Sequence, residues 1–296
     1  MFDLVSILDI KKRDLEDIFS LSDKFSSGKS AKISYKIVAG AFFEPSTRTA
    51  LSFETAAKKL GMQYIGFRST EGLSIEKGES FADTIRMLDA YADCIIVRHR
   101  FDGAAKFASE IAEKPVINAG DGKNEHPTQA IIDLYTMHKT FGGINGLTIG
   151  IMGDAKYART INSLLLGLNL FDIEKAVFIV PEGIKPKEEI TRQLNYKYQI
   201  LSDAYEEIGK LDVLYVTRIQ KERYADPLEL KRMEEAYKVT AQLAERMKEN
   251  AIILHPLPRV NEIDKEVDYT KHAKYFQQAA YGVPVRMAIL YKILGG

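Results

Sequence analysis

Only one cysteine, Cys94, occurs in 296 residues, which excludes an internal disulfide and any cysteine-rich zinc or iron–sulfur site. It stands in Cys94-Ile-Ile-Val97 and reads as a small buried apolar residue rather than a reactive thiol. Net charge is missing as well. Lys plus Arg and Asp plus Glu each total 41, so no overall field draws the chain to nucleic acid or to an anionic membrane, although a local basic cluster can still hold a small anion. No apolar stretch approaches the roughly 20 residues of a membrane span. The opening Met-Phe-Asp-Leu-Val-Ser lacks the basic-then-apolar pattern of a secretory signal, and a cytoplasmic location is the expectation. Nucleotide loops are absent too. Neither GxxxxGK followed by Ser or Thr nor GxGxxG occurs, and Gly150-Ile-Met-Gly153-Asp154 lacks the third glycine of a dinucleotide turn. No cofactor is expected. No second histidine or carboxylate stands at ligand spacing from His126, so no metal is expected either.

What is present is the ordinary mix of a globular protein, with 46% hydrophobic and 28% charged residues over a length that favours two domains. Short apolar runs alternate with amphipathic stretches, which predicts an α/β fold: two domains, each a mostly parallel sheet flanked by helices, with the active site in the cleft between them. Strands are expected at Ile37–Phe43, near Ile65–Phe67, and at Cys94–Val97 and Pro115–Asn118. Helices are expected over Leu8–Leu21 with Asp9 as its cap, and over Thr47–Leu60, about Glu79 onward, Gly103–Ile111 and His126–His138. Ser69–Ser80 reads as a loop. The glycine-rich joint Phe141-Gly-Gly-Ile-Asn-Gly146 separates a first domain, 1–142, from a second, 143–283. In the second, strands are expected at Leu147–Met152, Ala176–Val180, Val213–Val216 and Ile252–Leu254, with charged helical material over Lys221–Asn250. Residues 284–296 form a closing helix, expected to pack back on the first domain.

The chemistry collects where strands end. Ser46-Thr47-Arg48-Thr49 lies between the first strand and its helix. Ser46 or Thr47 can be a plain helix cap there. Equally, backbone N–H groups, two hydroxyl residues and an arginine at a helix N-terminus suit a phosphate. Both readings stand at this point. Arg98 follows the Cys94 strand. His126-Pro127-Thr128-Gln129 starts a helix with His126 and Gln129 on one face. In the second domain Arg159, Arg218 with Gln220, and His255-Pro256-Leu257-Pro258-Arg259 each leave a strand. A lone arginine is usually a solvated charge, but arginines at strand ends in both domains are the expected wall of a cleft for a small anion.

Ser-Thr-Arg-Thr, His-Pro-Thr-Gln, Thr217-Arg-Ile-Gln220 and His-Pro-Leu-Pro-Arg, in this order along nearly the whole chain, resemble the aspartate/ornithine carbamoyltransferase family. The resemblance is closer to its aspartate branch, since ornithine enzymes typically carry His-Cys-Leu-Pro where this chain has His255-Pro-Leu-Pro258. It implies transfer of the carbamoyl group of carbamoyl phosphate to the amino group of L-aspartate, a step of pyrimidine synthesis. It implies that Ser46, Thr47, Arg48, Thr49 and Arg98 hold the phosphate. Thr49, Arg98 and His126 would meet the carbonyl oxygen, and Gln129 the carbamoyl nitrogen, with Leu257 and Pro258 completing that set. Arg159, Arg218, Gln220 and Leu257 would bind aspartate. It further implies a homotrimer with shared sites, in which Ser74 and Lys77 come from a neighbour's loop and Lys77 touches both substrates, and a possible separate zinc-binding regulatory chain.

Two departures stand out. Many members have arginine after Ser-Thr-Arg-Thr where this chain has Ala50, and related loops around Ser74 and Lys77 are often one residue longer. Two rivals remain at this stage. One is transfer to another amine such as ornithine, whose positive side chain suits Arg159 and Arg218 poorly. The other is a silent homologue acting as a scaffold, against which the intact polar set argues.

Overall fold

A computed structural model describes residues 2–29, 31–33, 35–70, 78–181, 184–218 and 237–295. The chain divides into two compact units, Met1–Tyr135 with Asn162–Gly167 and Tyr281–Gly296, and Thr136–Ile161 with Leu168–Ala280. Each holds one parallel sheet.

In the first unit the strands are β1 (Ile37–Phe42), β2 (Gln63–Phe67), β3 (Cys94–His99) and β4 (Val116–Asp121), in the order β2-β1-β3-β4. All three pairings are parallel. Parallel strands need crossovers, and α2 (Thr47–Lys59), α3 (Phe81–Tyr91) and α4 (Ala104–Ile111) supply them. Apolar runs such as Val38–Phe42 and Cys94–Val97 are buried on both faces, as covered parallel sheets require. Ala39, Ala41, Ile85, Ile95 and Val97 belong to one core cluster. Cys94 is buried within this sheet, as expected, and burial pushes its thiol far above the ordinary range.

The first helix departs from expectation. Ile7–Asp9 is a separate 3-10 turn, in which Asp9 accepts N–H bonds from Val5 and Ser6. The α-helix α1 starts later, at Lys12–Ser26, with Asp14 accepting from the Lys11 N–H. Asp9 therefore closes the preceding turn and does not cap the helix. α5 (Pro127–Phe141) follows β4, and its Tyr135 hydroxyl donates to Asp23 of α1 at 2.7 Å. The final helix, here α9 (Tyr275–Leu294), brings Tyr281 to 5.0 Å from the Tyr135 ring and Lys292 to Asp14 and Asp17. Its C-terminal part thus covers α1 and α5 within the first unit.

The second unit orders β5 (Thr148–Met152), β6 (Lys175–Ile179), β7 (Tyr198–Leu201), β8 (Val213–Val216) and β9 (Ile252–Leu254) as β7-β6-β5-β8-β9, again all parallel. α6 (Arg159–Leu168), the short α7 (Glu188–Thr191) and α8 (Ala241–Glu245) lie between strands. The strand β7 has no counterpart among the sequence expectations. It is an edge strand with mostly exposed side chains, so it lacks the apolar run that marks β5 and β8. Most of the expected Lys221–Asn250 helix lies outside the described residues. Among those residues, no helix is long and apolar enough to cross a membrane.

Candidate active site

Ser46 is the N-cap of α2, with φ −155° and ψ 103°, yet its side chain makes no capping hydrogen bond. The first turn of α2 also carries no acidic residue. The positive end of the helix is therefore left without the internal oxygen or carboxylate that usually meets it. Ser80 and Thr240 behave in the ordinary way, accepting from Asp83 N and Leu243 N, each at 3.1 Å. That contrast tips the choice left open by the sequence towards an anion cradle. Thr49 is buried beside it, and Ala50 faces the packed side of α2 with no exposure. Arg48 is exposed as a residue, but partial desolvation of its guanidinium lowers its pKa.

Arg98, one residue before the end of β3, approaches the same region, since β1 and β3 are paired with Phe42 opposite Arg98. Its Nη1 donates to the Ala119 carbonyl at 3.1 Å, and Nη2 lies 3.6 Å from Glu44 Oε1. Both contacts point the planar fork and keep it from swinging into solvent. The neighbouring His99 is packed among Phe43, Phe81 and Phe101, and burial lowers its pKa, with Arg100 adding to the effect. It is a structural aromatic.

The exit of β4 is held by side chains. Asn118 Nδ2 donates to Val5 O and to Asp121 Oδ1, and Asp121 Oδ2 accepts from Gly103 N at 2.8 Å. Gly122 turns here with φ 49°; a Cβ would fall 2.6 Å from Asp102 N, so glycine is required. The turn delivers His126, only 4% exposed, to the start of α5. Its backbone N–H donates to Ser163 Oγ at 2.9 Å, and Ser163 donates in turn to Glu125 Oε2 at 2.9 Å. Glu125 also accepts from Ser6 Oγ and Ile7 N, while burial pushes its carboxyl above the ordinary range against those bonds. Asn162 Nδ2 caps the carbonyls of Lys123 and Asn124 at 3.0 and 2.9 Å. The Gln129 amide donates to Asp133 Oδ1 at 2.8 Å.

In the second unit β5 and β8 are neighbours, so their exits meet. Gly153 has φ 111°, and a Cβ would fall 2.1 Å from Thr217 O. Asp154 N donates to Thr217 Oγ1 at 3.0 Å, and Asp154 Oδ1 accepts from Lys156 and Tyr157 N–H groups. This knot sets Arg159 at the first position of α6 and Arg218 just past β8. Arg159 is half-buried and Arg218 exposed. After β9, His255 Nδ1 accepts from Leu257 N at 2.8 Å while its Nε2 pairs with Glu262 Oε1 at 2.8 Å. That pins Leu257, whose φ is 55°, and the Leu257–Pro258 peptide, which is cis. Glu262 also accepts from Val260 and Asn261 N–H groups at 3.0 Å. Burial opposes its charge, but the His255 and backbone hydrogen bonds prevail and lower its pKa.

Among the strand-end arginines, Arg259 is committed inward. It forks onto Asp268, touches Tyr275 Oη at 3.0 Å, and has its pKa raised first by the Asp268 hydrogen bond. It braces its loop and is not a ligand-facing cation. Ser46, Thr47, Arg48, Thr49, Arg98, His126 and Gln129 fall in the first unit. Arg159, Arg218, Leu257 and Pro258 fall in the second, while Ser74, Lys77 and Gln220 lie outside the described residues. The supporting residues Asp133, Glu125, Glu262 and Asn162 escaped the sequence reading. Only Asp133 left a signal there, one helical turn after Gln129.

Two parallel sheets whose strand ends carry hydroxyls, amide donors and guanidinium groups define an α/β enzyme that handles small anions. Residues 3–139 match the carbamoyl-P binding domain of aspartate/ornithine carbamoyltransferase, and residues 145–293 match its Asp/Orn binding domain. The chain belongs to the aspartate/ornithine carbamoyltransferase family. It is 57% identical over 293 residues to the aspartate carbamoyltransferase catalytic subunit of Saccharolobus islandicus (strain M.14.25 / Kamchatka #1), covering 99% of this chain and 97% of that protein. The corresponding subunit of Sulfurisphaera tokodaii is 55% identical over 297 residues, with all of both chains covered. Among solved structures, the catalytic subunit of M. jannaschii aspartate transcarbamoylase is 44% identical with a TM-score of 0.91, covering 99% of this chain and 98% of that one. Aspartate transcarbamoylase from Trypanosoma cruzi, solved with N-(phosphonacetyl)-L-aspartic acid, is 35% identical with a TM-score of 0.94, covering 99% and 96%.

Proposed function

We infer that the chain transfers the carbamoyl group of carbamoyl phosphate to the amino group of L-aspartate, giving N-carbamoyl-L-aspartate and phosphate in pyrimidine synthesis. The observation that carries this reading into the site is the α2 N-terminus, where Ser46 caps by backbone alone and leaves its hydroxyl for a ligand. Ser46, Thr47, Arg48, Thr49 and Arg98 take the phosphate. Thr49, Arg98 and His126 meet the carbonyl oxygen, and Gln129, Leu257 and Pro258 the carbamoyl end. Arg159, Arg218, Gln220 and Leu257 take the two carboxylates of aspartate, whose double negative charge suits two guanidinium groups better than ornithine does.

The unprotonated aspartate amine attacks the carbonyl carbon, and charge builds on the carbonyl oxygen. The carbon–oxygen bond to phosphate then breaks, phosphate leaves with that bond's electron pair, and the proton lost by the new amide nitrogen is taken up by the departing phosphate. Donors held rigidly at those oxygens favour the transition state over the ground state. Arg159 and Arg218 contribute by holding the amine in line. No covalent intermediate is required.

The active form is a homotrimer in the cytoplasm, with Ser74 and Lys77 supplied by a neighbouring subunit and Lys77 touching both substrates; a separate zinc-binding regulatory chain is a candidate further partner. Family resemblance supports this part of the reading, and solution mass with and without such a chain tests it. For the reaction, parallel assays with carbamoyl phosphate plus aspartate or ornithine are decisive. Product with aspartate is expected; product only with ornithine, or none with either, overturns the reading.

A further inference from the structure

The Gln129 side chain has two ends of opposite character. Its nitrogen end donates to Asp133 Oδ1 at 2.8 Å, so the oxygen end is the one turned away from Asp133. A carboxylate accepts and does not donate, so Asp133 can hold only the amide NH2 of Gln129. Asp133 is fully buried, four residues on along α5, so its grip comes from inside the fold and not from solvent. The Arg286 guanidinium of α9, 4% exposed, supplies the compensating charge. It lies 4.9 Å from the Phe53 ring centre, burial drives its pKa down, and Asp133 works against that shift. Its Nε has no hydrogen-bond partner.

We infer that Asp133 is a positioning residue that fixes the Gln129 carboxamide with its oxygen outward, so that the site selects an acyl phosphate bearing NH2 over one bearing CH3. The inference rests on the reading that puts Gln129 at the carbamoyl nitrogen. An outward oxygen accepts from a carbamoyl NH2 and has nothing to accept from a methyl group. An outward NH2 would instead meet the carbamoyl NH2 donor to donor. A site that hydrogen-bonds an N–H group discriminates strongly against the analogue lacking it, because its own polar atom is then left unsatisfied.

Two stable probes differ only in that group: phosphonoacetamide, with NH2, and acetonylphosphonate, with CH3. Their dissociation constants give a selectivity ratio that is independent of turnover. In Asp133→Asn the side chain can donate as well as accept, the Gln129 amide is free to turn over, and the ratio falls about tenfold or more. Inorganic phosphate, which has neither group, binds Asp133→Asn as it binds the wild type. An unchanged ratio in Asp133→Asn, with phosphate binding intact, overturns the inference. Gln129→Ala separates the two levels. A collapsed ratio in Gln129→Ala with an unchanged one in Asp133→Asn defeats the positioning role alone, whereas an unchanged ratio in Gln129→Ala defeats the reading beneath it. Should Asp133→Asn not fold, a neutron structure of the wild-type protein decides directly. Deuterons on the Gln129 atom facing Asp133 are expected; an oxygen there overturns the proposal.

Discussion

Replacing Ser46 by alanine separates the two jobs a serine can do at a helix start. An N-cap hydroxyl that accepts from the first turn is worth about 1 kcal/mol on average. Ser80 and Thr240 accept in that way, from Asp83 N and Leu243 N, so Ser80→Ala and Thr240→Ala should each cost about 1 kcal/mol. The Ser46 hydroxyl caps nothing in α2. Ser46→Ala should therefore change the stability of the unliganded protein by less than about 0.5 kcal/mol, the range of an ordinary surface substitution. Its effect should appear on the ligand. A hydrogen bond to a charged group contributes roughly 1.5–3 kcal/mol, so phosphate should bind about 10- to 100-fold more weakly. Urea unfolding of the three variants without ligand, and calorimetric titration with phosphate, give both numbers. A stability loss of about 1 kcal/mol for Ser46→Ala with phosphate affinity unchanged would refute the reasoning, because the serine would then be a cap after all.

Arg48→Ala should reduce turnover by at least about 10²–10³ with the fold intact, the loss expected when one transition-state donor is removed; near-normal turnover at saturating carbamoyl phosphate contradicts its assignment. Arg218→Ala should raise KM for aspartate while leaving phosphate binding to the first unit unchanged, and equal losses for both ligands would show that it acts through the fold. Glu262 has a pKa lowered in the folded state, so its contribution is present above the unfolded value of about 4.3 and is lost as pH falls through the lower folded value. Glu262→Gln should thus be less stable than wild type between roughly pH 6 and 8, with the gap closing below about pH 4 in urea titrations. A gap that stays constant into acid would assign the effect to packing.

Sequence legibility followed burial. β1, β3, β5 and β8 are buried on both faces, and their apolar runs could be read directly. β7 could not, because an exposed edge strand imposes no apolar pattern. Asp9 looked like the cap of α1 but serves the turn before it, since the Ser6–Asp9 reciprocal bonds close the separate Ile7–Asp9 turn. Ser46–Thr49, His126 and the arginines could be singled out as candidates because strand exits and helix starts leave local signatures. What orients them was not. The Glu125 contact with Ile7 spans 118 residues, and the closing-helix residue Arg286 meets Phe53 and Asp133 only after the chain has folded. Arg259 shows the converse, since its place at a strand end matched the other arginines while its partner Asp268 assigned it to the scaffold.

A crystal structure of this protein with N-(phosphonacetyl)-L-aspartate tests the central claim most directly. The phosphonate should sit on the N-terminus of α2 against Ser46, Thr47, Arg48 and Thr49 with Arg98 beside it, the carbonyl oxygen should face His126, and the two carboxylates should meet Arg159 and Arg218. A phosphonate bound away from the start of α2, or carboxylates contacting neither arginine, would contradict the account.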